Sequence, residues 1–276
     1  MNEIQTNYSA SQGVRLLEKA INEYGPIFSL EQIASLPISQ NKTKNQLLKL
    51  VSKLARSGWI EILKRGKYVV KSPIYSSEIH PFAIANALLQ PIAISHWSAL
   101  AYHGFSTQNP VMTQASTTCN VITPEMRLGK AYSPRGRAAW RAYGMEFEFI
   151  HEKKERFWGF QNIWVNDWYQ ASITDRERSV LDLFIRPDIF GGIRASSEIM
   201  ELSLPQIDQA KLVEYAIKYK NGAVIKRIGC LLEKMGINRQ LLLPLAEFPV
   251  SGKILLDSSK PENNKLNKFW QIIENV

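Results

Sequence analysis

The sequence predicts an α+β protein, with a small N-terminal domain followed by a larger mixed α/β domain. Three observations support this. The first 71 residues contain helix-period segments and then a hairpin pattern, a short polar segment follows, and the remainder alternates helical segments with brief β-favouring runs. The predicted divisions are a first domain at 1–72, a linker at 73–79 and a second domain at 80–276. A hydrophobic content of 45% over 276 residues is enough for a core in each domain.

Two helices are predicted at the start of the chain. Residues 12–24 place apolar side chains at helical spacing, with Ser11 as the predicted N-cap, and Gly25 ends the segment. A second, short helix is predicted over 30–36 with Ser29 as its N-cap, because Pro37 follows directly and cannot continue it.

A third helix is predicted over 41–57, with Gly58 ending it. Its apolar arc comprises Leu47, Leu48, Leu50, Val51, Leu54 and Ala55. Its opposite, polar arc comprises Lys42, Asn45, Gln46, Lys49, Ser52, Lys53 and Arg56. Residues 59–70 then form two β-favouring runs around Arg65-Gly66, which predicts a hairpin.

Positive charge is concentrated in this region. Between Lys42 and Lys71 there are nine Lys or Arg residues against one acid, so these 30 residues hold +8 of the net charge of +9. The order of two helices, a basic amphipathic helix and a basic hairpin is that of a winged helix-turn-helix, which predicts binding to double-stranded DNA. The alternatives are a solvated basic face and a winged helix used only for protein contacts.

The predicted DNA contacts fall into three groups. Residues at the start of the third helix are expected near base edges, because Asn and Gln pair with adenine and Lys reaches guanine or phosphate. Two further lysines follow on the same face, and the hairpin tip is expected on phosphates. In that order the residues are Gln40, Asn41, Lys42, Thr43, Lys44, Asn45 and Gln46, then Lys49 and Lys53, then Lys64, Arg65 and Lys67.

The second domain is predicted to mix helices with short strands. Helices are expected at 80–89, at 96–103 after Ser95, at 179–186 after a Thr174–Glu177 capping box, and at 206–220, 223–235 and 241–248. Strands are expected at 119–122, 147–150, 157–160, 163–165, 169–173, 253–256 and 269–273.

A second basic stretch in this domain is a candidate for a further nucleic-acid contact. It contains no acid between Met126 and Met145, and Trp140 and Tyr143 lie among its cations. The alternative is that the aromatic rings pack inward and the charges face water. The cations are Arg127, Lys130, Arg135, Arg137 and Arg141.

Enzymatic chemistry is not predicted, and neither is a metal or a cofactor. The sequence contains no glycine-rich phosphate loop, zinc-protease motif or nucleophile elbow. His96 and His103 are seven residues apart, too far for one ion. Asp175, Glu177 and Asp182 suggest a carboxylate metal set, but we expect the first two to complement a helix N-terminus and the third to form a weak surface pair with Arg178.

Three segments resemble the AbiEi family of type IV antitoxins. They are ISHWSALAYHGF at 94–105, ITDRERSVLDLFIRPDIFGGI at 173–193 and AVIKRIGCLLEKMG at 223–236. The resemblance implies an N-terminal winged helix, autorepression through inverted repeats in the protein's own promoter, and neutralisation of a nucleotidyltransferase-like toxin without a stable complex. It also implies a role in phage defence by abortive infection.

The expected function is therefore a DNA-binding autorepressor and antitoxin that self-associates on an inverted repeat. A cytoplasmic location without membrane contact is expected, because no apolar run approaches 18 residues, no secretory signal is visible, and the two cysteines fit reduced thiols. The alternatives are a metal-dependent nuclease and a ligand-sensing transcription factor without a toxin partner.

Overall fold

A computed structural model describes residues 2–71, 75, 77–108, 110–129, 139–263 and 265–276, with side chains described from residue 12 onward. The fold is mixed α+β, as predicted. The chain forms two compact units. The first comprises Met1–Ile92, Cys119–Glu148 and Asn162–Ala171, and the second comprises Ala93–Thr118, Phe149–Gln161 and Ser172–Val276. The predicted linker at 73–79 is partly outside the described residues.

The chain up to residue 71 alternates helices with a small antiparallel sheet. The elements are α1 (Asn2–Tyr24), β1 (Ile27–Ser29), α2 (Leu30–Ser35), a 3₁₀ turn (Pro37–Ser39), α3 (Lys44–Arg56), β2 (Ile60–Lys64) and β3 (Lys67–Val70). The strand order is β1-β3-β2, and Ile27 pairs with Val69. The predicted end of α1 is confirmed, but its predicted start after Ser11 is wrong, because the helix already begins at Asn2.

These elements enclose one apolar core. Leu16 and Leu17 of α1, Ile33 of α2 and Val51 of α3 are buried against Phe28 of β1. Burial of these helix faces is the main stabilisation of elements this short.

Seventeen further α-helices and β-strands follow in the described chain. They are α4 (Pro81–Leu88), β4 (Ile92–Ile94), α5 (His96–Tyr102), β5 (Thr113–Thr117), α6 (Pro124–Arg127), β6 (Ala139–Ala142), β7 (Met145–His151), β8 (Phe160–Trp164), β9 (Gln170–Thr174), α7 (Arg176–Ile185), α8 (Ile193–Ser203), α9 (Gln209–Tyr219), α10 (Gly222–Lys234), α11 (Arg239–Glu247), β10 (Ile254–Leu255), β11 (Leu266–Asn267) and β12 (Ile272–Ile273). One sheet has the order β6-β7-β5-β4-β9-β8, and a small sheet has the order β10-β12-β11.

Two of the predicted strands are wrong. Residues 119–122 are irregular and lead into α6. Residues 157–159 are also irregular, because the guanidinium of Arg178 binds the carbonyl oxygens of Arg156 and Trp158 at 2.7 and 3.2 Å and holds this backbone in a loop.

Helix α7 lies at the centre of the core of the second unit. Val180, Leu181 and Phe184 are fully buried there. Close packing also requires glycine at position 229 of α10, because a Cβ there would overlap the ring of the fully buried Trp270.

The start of α7 differs from the prediction. Asp175, rather than Thr174, is the N-cap, and its carboxylate accepts the Arg178 N–H at 2.8 Å. Arg178 and Asp182 form the predicted pair, at 2.8 Å, but its predicted place on a polar helix face is wrong, because both side chains are only 2% exposed. None of the helices in the described ranges is long and apolar enough to span a bilayer.

Candidate nucleic-acid interface

The start of α3 is fixed by a capping box. The Gln46 N–H donates to Thr43 Oγ1 at 3.3 Å, and the Thr43 N–H donates to Gln46 Oε1 at 2.8 Å. The helix therefore begins at Lys44, so its predicted start at residue 41 is wrong, and Gln40, Asn41 and Lys42 precede the helix. Thr43 and Gln46 commit their side-chain oxygens to the cap, which argues against Gln46 as a bidentate partner for a base.

The outer face of α3 is basic. Lys44, Asn45 and Lys49 are exposed, and Lys53 is half-buried. The inner face buries Leu47, Val51 and Leu54, as the helical spacing predicts. Leu48 is 37% exposed, so it lies at the edge of the apolar face rather than within it.

The hairpin tip is held against the start of α2. Gly66 has φ 78°, which the turn requires, and its carbonyl oxygen accepts the Leu30 N–H at 3.0 Å. Lys67 pairs opposite Ser29 in the sheet. Arg65 is exposed and forms no ion pair within the described part of the chain. The tip therefore presents one guanidinium to solvent on a fixed turn.

Lys64 forms a hydrogen bond within its own unit. Its Nζ donates to the carbonyl oxygen of Leu88, the last residue of α4, at 2.9 Å. Burial lowers the pKa of Lys64, and the neighbouring Lys67 adds to this. The amine compensates one of the unsatisfied carbonyl oxygens at the end of α4, so Lys64 supports the hairpin within its own unit.

A carboxylate at the start of α2 links the helix and the hairpin electrostatically. Backbone and Ser29 hydrogen bonds hold the pKa of Glu31 below its usual range, and both Lys44 and Lys67 add to the lowering. The first residue of α3 and the first residue of β3 thus act on the same group. Lys67 also pairs opposite Ser29, the N-cap of α2, so the basic hairpin lies beside the start of α2.

The strands β6 and β7, at the end of the second basic stretch, pack on the same hairpin. Strands β6 and β7 are joined by a two-residue turn, Tyr143-Gly144, with φ values of 53° and 70°. The Tyr143 N–H donates to Glu61 Oε1 at 2.7 Å, and its hydroxyl donates to the Val70 carbonyl oxygen at 3.1 Å. Arg141 is held by Glu146 at 2.7 Å.

A groove of about 360 Å³ lies between the hairpin and this stretch, all of it in the first unit. Its walls are Leu63, Lys64, Arg65, Ile122, Pro124, Arg127 and Trp140. The structure therefore brings together Arg65 and Arg127, which the sequence treats as parts of separate candidate contacts. Lys130, Arg135 and Arg137 lie outside the described residues.

The carboxylates considered for metal binding are engaged by neighbours. Asp175 accepts the Tyr215 hydroxyl at 2.8 Å and Lys211 Nζ at 3.1 Å. Burial works to raise the pKa of Glu177, but hydrogen bonds from Lys211 and from the Asp208 N–H hold it below its usual range. Asp182 faces Arg178. Within the described residues no group of three or more His, Cys, Asp and Glu side chains is suited to a metal ion.

No family model matches the sequence, and no curated protein matches it. One solved structure that the chain resembles is that of the RV2827C protein from Mycobacterium tuberculosis. The two share a TM-score of 0.64 and 12% identity, over 95% of this chain and 91% of that chain. At this identity the similarity shows a common fold.

Proposed function

We propose that the protein is a DNA-binding transcriptional autorepressor and an AbiEi-type antitoxin, and that residues 1–72 act as a winged helix-turn-helix. The observation that carries this proposal is the shared position of the two basic elements. Lys67 of β3 pairs opposite Ser29, the N-cap of α2, and α2 packs in the same core as α3. Lys44 of α3 and Lys67 also both act on Glu31 in the first turn of α2, which supports basic ends of the helix and the hairpin that lie near each other.

Each part of the face has its own role. Helix α3 enters the major groove with Lys44, Asn45 and Lys49, which are exposed along one side. Arg65 and Lys67 lie along the phosphate backbone as the wing, where Arg65 has no intramolecular ion pair to break among the described residues. Lys64 supports the wing through Leu88 instead of binding phosphate.

The antitoxin part of the proposal rests on the three AbiEi-like segments. Two copies of the protein occupy an inverted repeat in its promoter, related by the symmetry of that site. A nucleotidyltransferase-like toxin is the functional partner, without a stable complex. The pairing of Asp175, Glu177 and Asp182 with cations supports a structural role for these carboxylates over metal-dependent cleavage.

The DNA-binding half is tested by titrating the protein against its own promoter and against a shuffled duplex of equal length and composition. We expect tighter binding to the promoter, and we expect Asn45→Ala to reduce that preference while leaving shuffled-duplex binding nearly unchanged. Equal affinity of the unmodified protein for both duplexes would overturn sequence-specific repression.

The antitoxin half is tested by expressing the neighbouring gene with and without this one. We expect a neighbour that encodes a nucleotidyltransferase-like protein, growth arrest when it is expressed alone, and recovery on co-expression. A neighbour without such a product, or arrest that persists on co-expression, would refute the antitoxin assignment and leave the DNA-binding assignment standing.

A further inference from the structure

The groove beside the hairpin combines apolar and cationic side chains, whereas the outer face of α3 is polar and basic. One wall is β2 and the hairpin tip, and the other is formed by Ile122, Pro124, Arg127 and Trp140 of the same unit. Its lining combines apolar side chains with three cations and contains no acid. A cleft of about 360 Å³ falls near the lower end of the roughly 300–1,000 Å³ typical of small-molecule sites.

Two of the cations are available to an anion. Arg65 and Arg127 are both exposed, and neither forms an ion pair in the described ranges. Arg127 is the last residue of α6, a single turn that Thr123 caps by accepting the Met126 N–H at 3.2 Å. A guanidinium on each wall suits a phosphate, which accepts two hydrogen bonds from each planar fork.

The remaining lining suits a flat aromatic group. Trp140 lies on β6 and is half-buried, and Ile122 beside it is 55% exposed despite its apolar side chain. Leu63 of β2 provides a buried apolar surface on the opposite wall. An indole ring stacks on any nucleobase, and aliphatic side chains can cover the rest of the base.

We propose that this groove binds one nucleotide, with its base against Trp140 and Ile122 and its phosphates between Arg65 and Arg127. A base inside a duplex is stacked and paired, so duplex DNA cannot supply this ligand. The nucleotide is either a free nucleoside phosphate or the 5′-phosphorylated end of a single strand. The proposal does not depend on operator binding by α3, but the groove shares Arg65 with the proposed wing.

Calorimetric titration of the full-length protein tests this proposal. The probes are the four nucleoside triphosphates, 5′-phosphorylated and unphosphorylated tetranucleotides, adenosine, and inorganic tripolyphosphate. We expect saturable binding of a triphosphate or of the phosphorylated tetranucleotide, at least tenfold tighter than adenosine or tripolyphosphate. Binding of only one of these two ligands supports the proposal and identifies the source of the nucleotide.

Two groove variants and two matched controls locate the site. Arg127→Ala and Trp140→Leu should each weaken nucleotide binding at least tenfold, while Arg194→Ala and Trp164→Leu, which replace exposed residues outside the groove, should not. Arg127→Ala keeps the test valid if Trp140→Leu disturbs the fold. No binding of any nucleotide probe, equal binding of tripolyphosphate, or unchanged affinity in Arg127→Ala would overturn the proposal.

Operator binding provides a separate readout. Lys49→Ala should weaken binding to the promoter duplex and leave nucleotide affinity unchanged. Arg127→Ala should weaken nucleotide binding to a greater extent than duplex binding. Failure of one activity is therefore distinguishable from failure of the other, and parallel losses of both in Arg127→Ala would contradict a separate nucleotide site.

Discussion

The backbone N–H of Tyr143 donates a hydrogen bond to Glu61 at 2.7 Å. Glu61 is the single acid between Lys42 and Lys71, and its second oxygen lies 3.5 Å from Lys71 Nζ. The carboxylate therefore holds the β6–β7 turn against the basic hairpin. The one negative charge in this segment has a structural role, and it fixes one wall of the groove relative to the other.

Glu61→Ala is expected to destabilise the protein by about 1–2 kcal/mol, because the Tyr143 N–H loses a charged acceptor. Tyr143 has φ 53°, an unfavourable backbone conformation that this contact helps to maintain. The measurement is urea denaturation. Lys71→Ala is the matched control, since it removes the exposed partner of the same carboxylate and should cost less than about 0.5 kcal/mol. Equal effects of the two variants would refute this role for Glu61.

Asp182→Asn is expected to cost about 3–5 kcal/mol of unfolding free energy. Arg178 and Asp182 are both 2% exposed, and removing the charge of Asp182 leaves the buried guanidinium with Glu152, at 3.3 Å, as its remaining carboxylate partner. Glu198→Gln tests the same Arg-to-acid spacing at the surface, where the side chains of Arg194 and Glu198 are 85% and 65% exposed. It should change stability by less than about 0.5 kcal/mol.

Thermal or urea unfolding of both variants provides the comparison. A loss of unfolding free energy in Asp182→Asn no greater than in Glu198→Gln would show that the buried pair contributes no more to stability than the surface pair. Arg178 also binds Glu152 at 3.3 Å, and burial raises the pKa of that carboxyl although Arg178 works against the increase.

His103 predicts a pH dependence of stability. Its Nε2–H donates to the Thr174 carbonyl oxygen at 2.7 Å, and burial lowers its pKa, although this hydrogen bond works against the lowering. The unfolded chain therefore takes up the proton first as the pH falls. The stabilisation is fully present above about pH 6.5, the unfolded value, and is lost as the pH falls through the folded pKa.

His103→Gln keeps a donor towards Thr174 but does not titrate in this range. As the pH falls from 8 to 5.5, the unfolding free energy of the unmodified protein should decrease relative to that of this variant. Urea denaturation at a series of pH values measures it. A difference that is constant, or that shifts in favour of the unmodified protein, would contradict a lowered pKa.

Local signals in the sequence predict the start of α2 but not the strand β5. Ser29 caps α2 as predicted, since its side chain accepts the Gln32 N–H at 3.1 Å. Strand β5, Thr113–Thr117, is not predicted, because all five of its residues are buried yet none is a large apolar residue. Its polar groups are satisfied by distant partners, such as the 2.9 Å hydrogen bond between Ser116 and Ser95, which no local pattern encodes.

The candidate interface shows the same difference between what local patterns and long-range contacts determine. The concentration of charge along the chain is enough to predict a basic helix and a basic hairpin. It cannot predict the Lys64 bond to Leu88, 24 residues away, or the contact between Tyr143 and Glu61, 82 residues apart. Both depend on long-range packing, and together they separate the cations that support the hairpin from those that face solvent.

The salt dependence of promoter binding tests the central claim, that α3 and the hairpin form one DNA-binding face, most directly. Binding constants would be measured by fluorescence anisotropy at several salt concentrations for the unmodified protein, Arg65→Ala, Lys67→Ala and the control Arg194→Ala. We predict that the slope of log K against log salt falls in magnitude by about 1 in each hairpin variant and not in the control. Slopes in both hairpin variants equal to that of the unmodified protein would contradict the proposed wing.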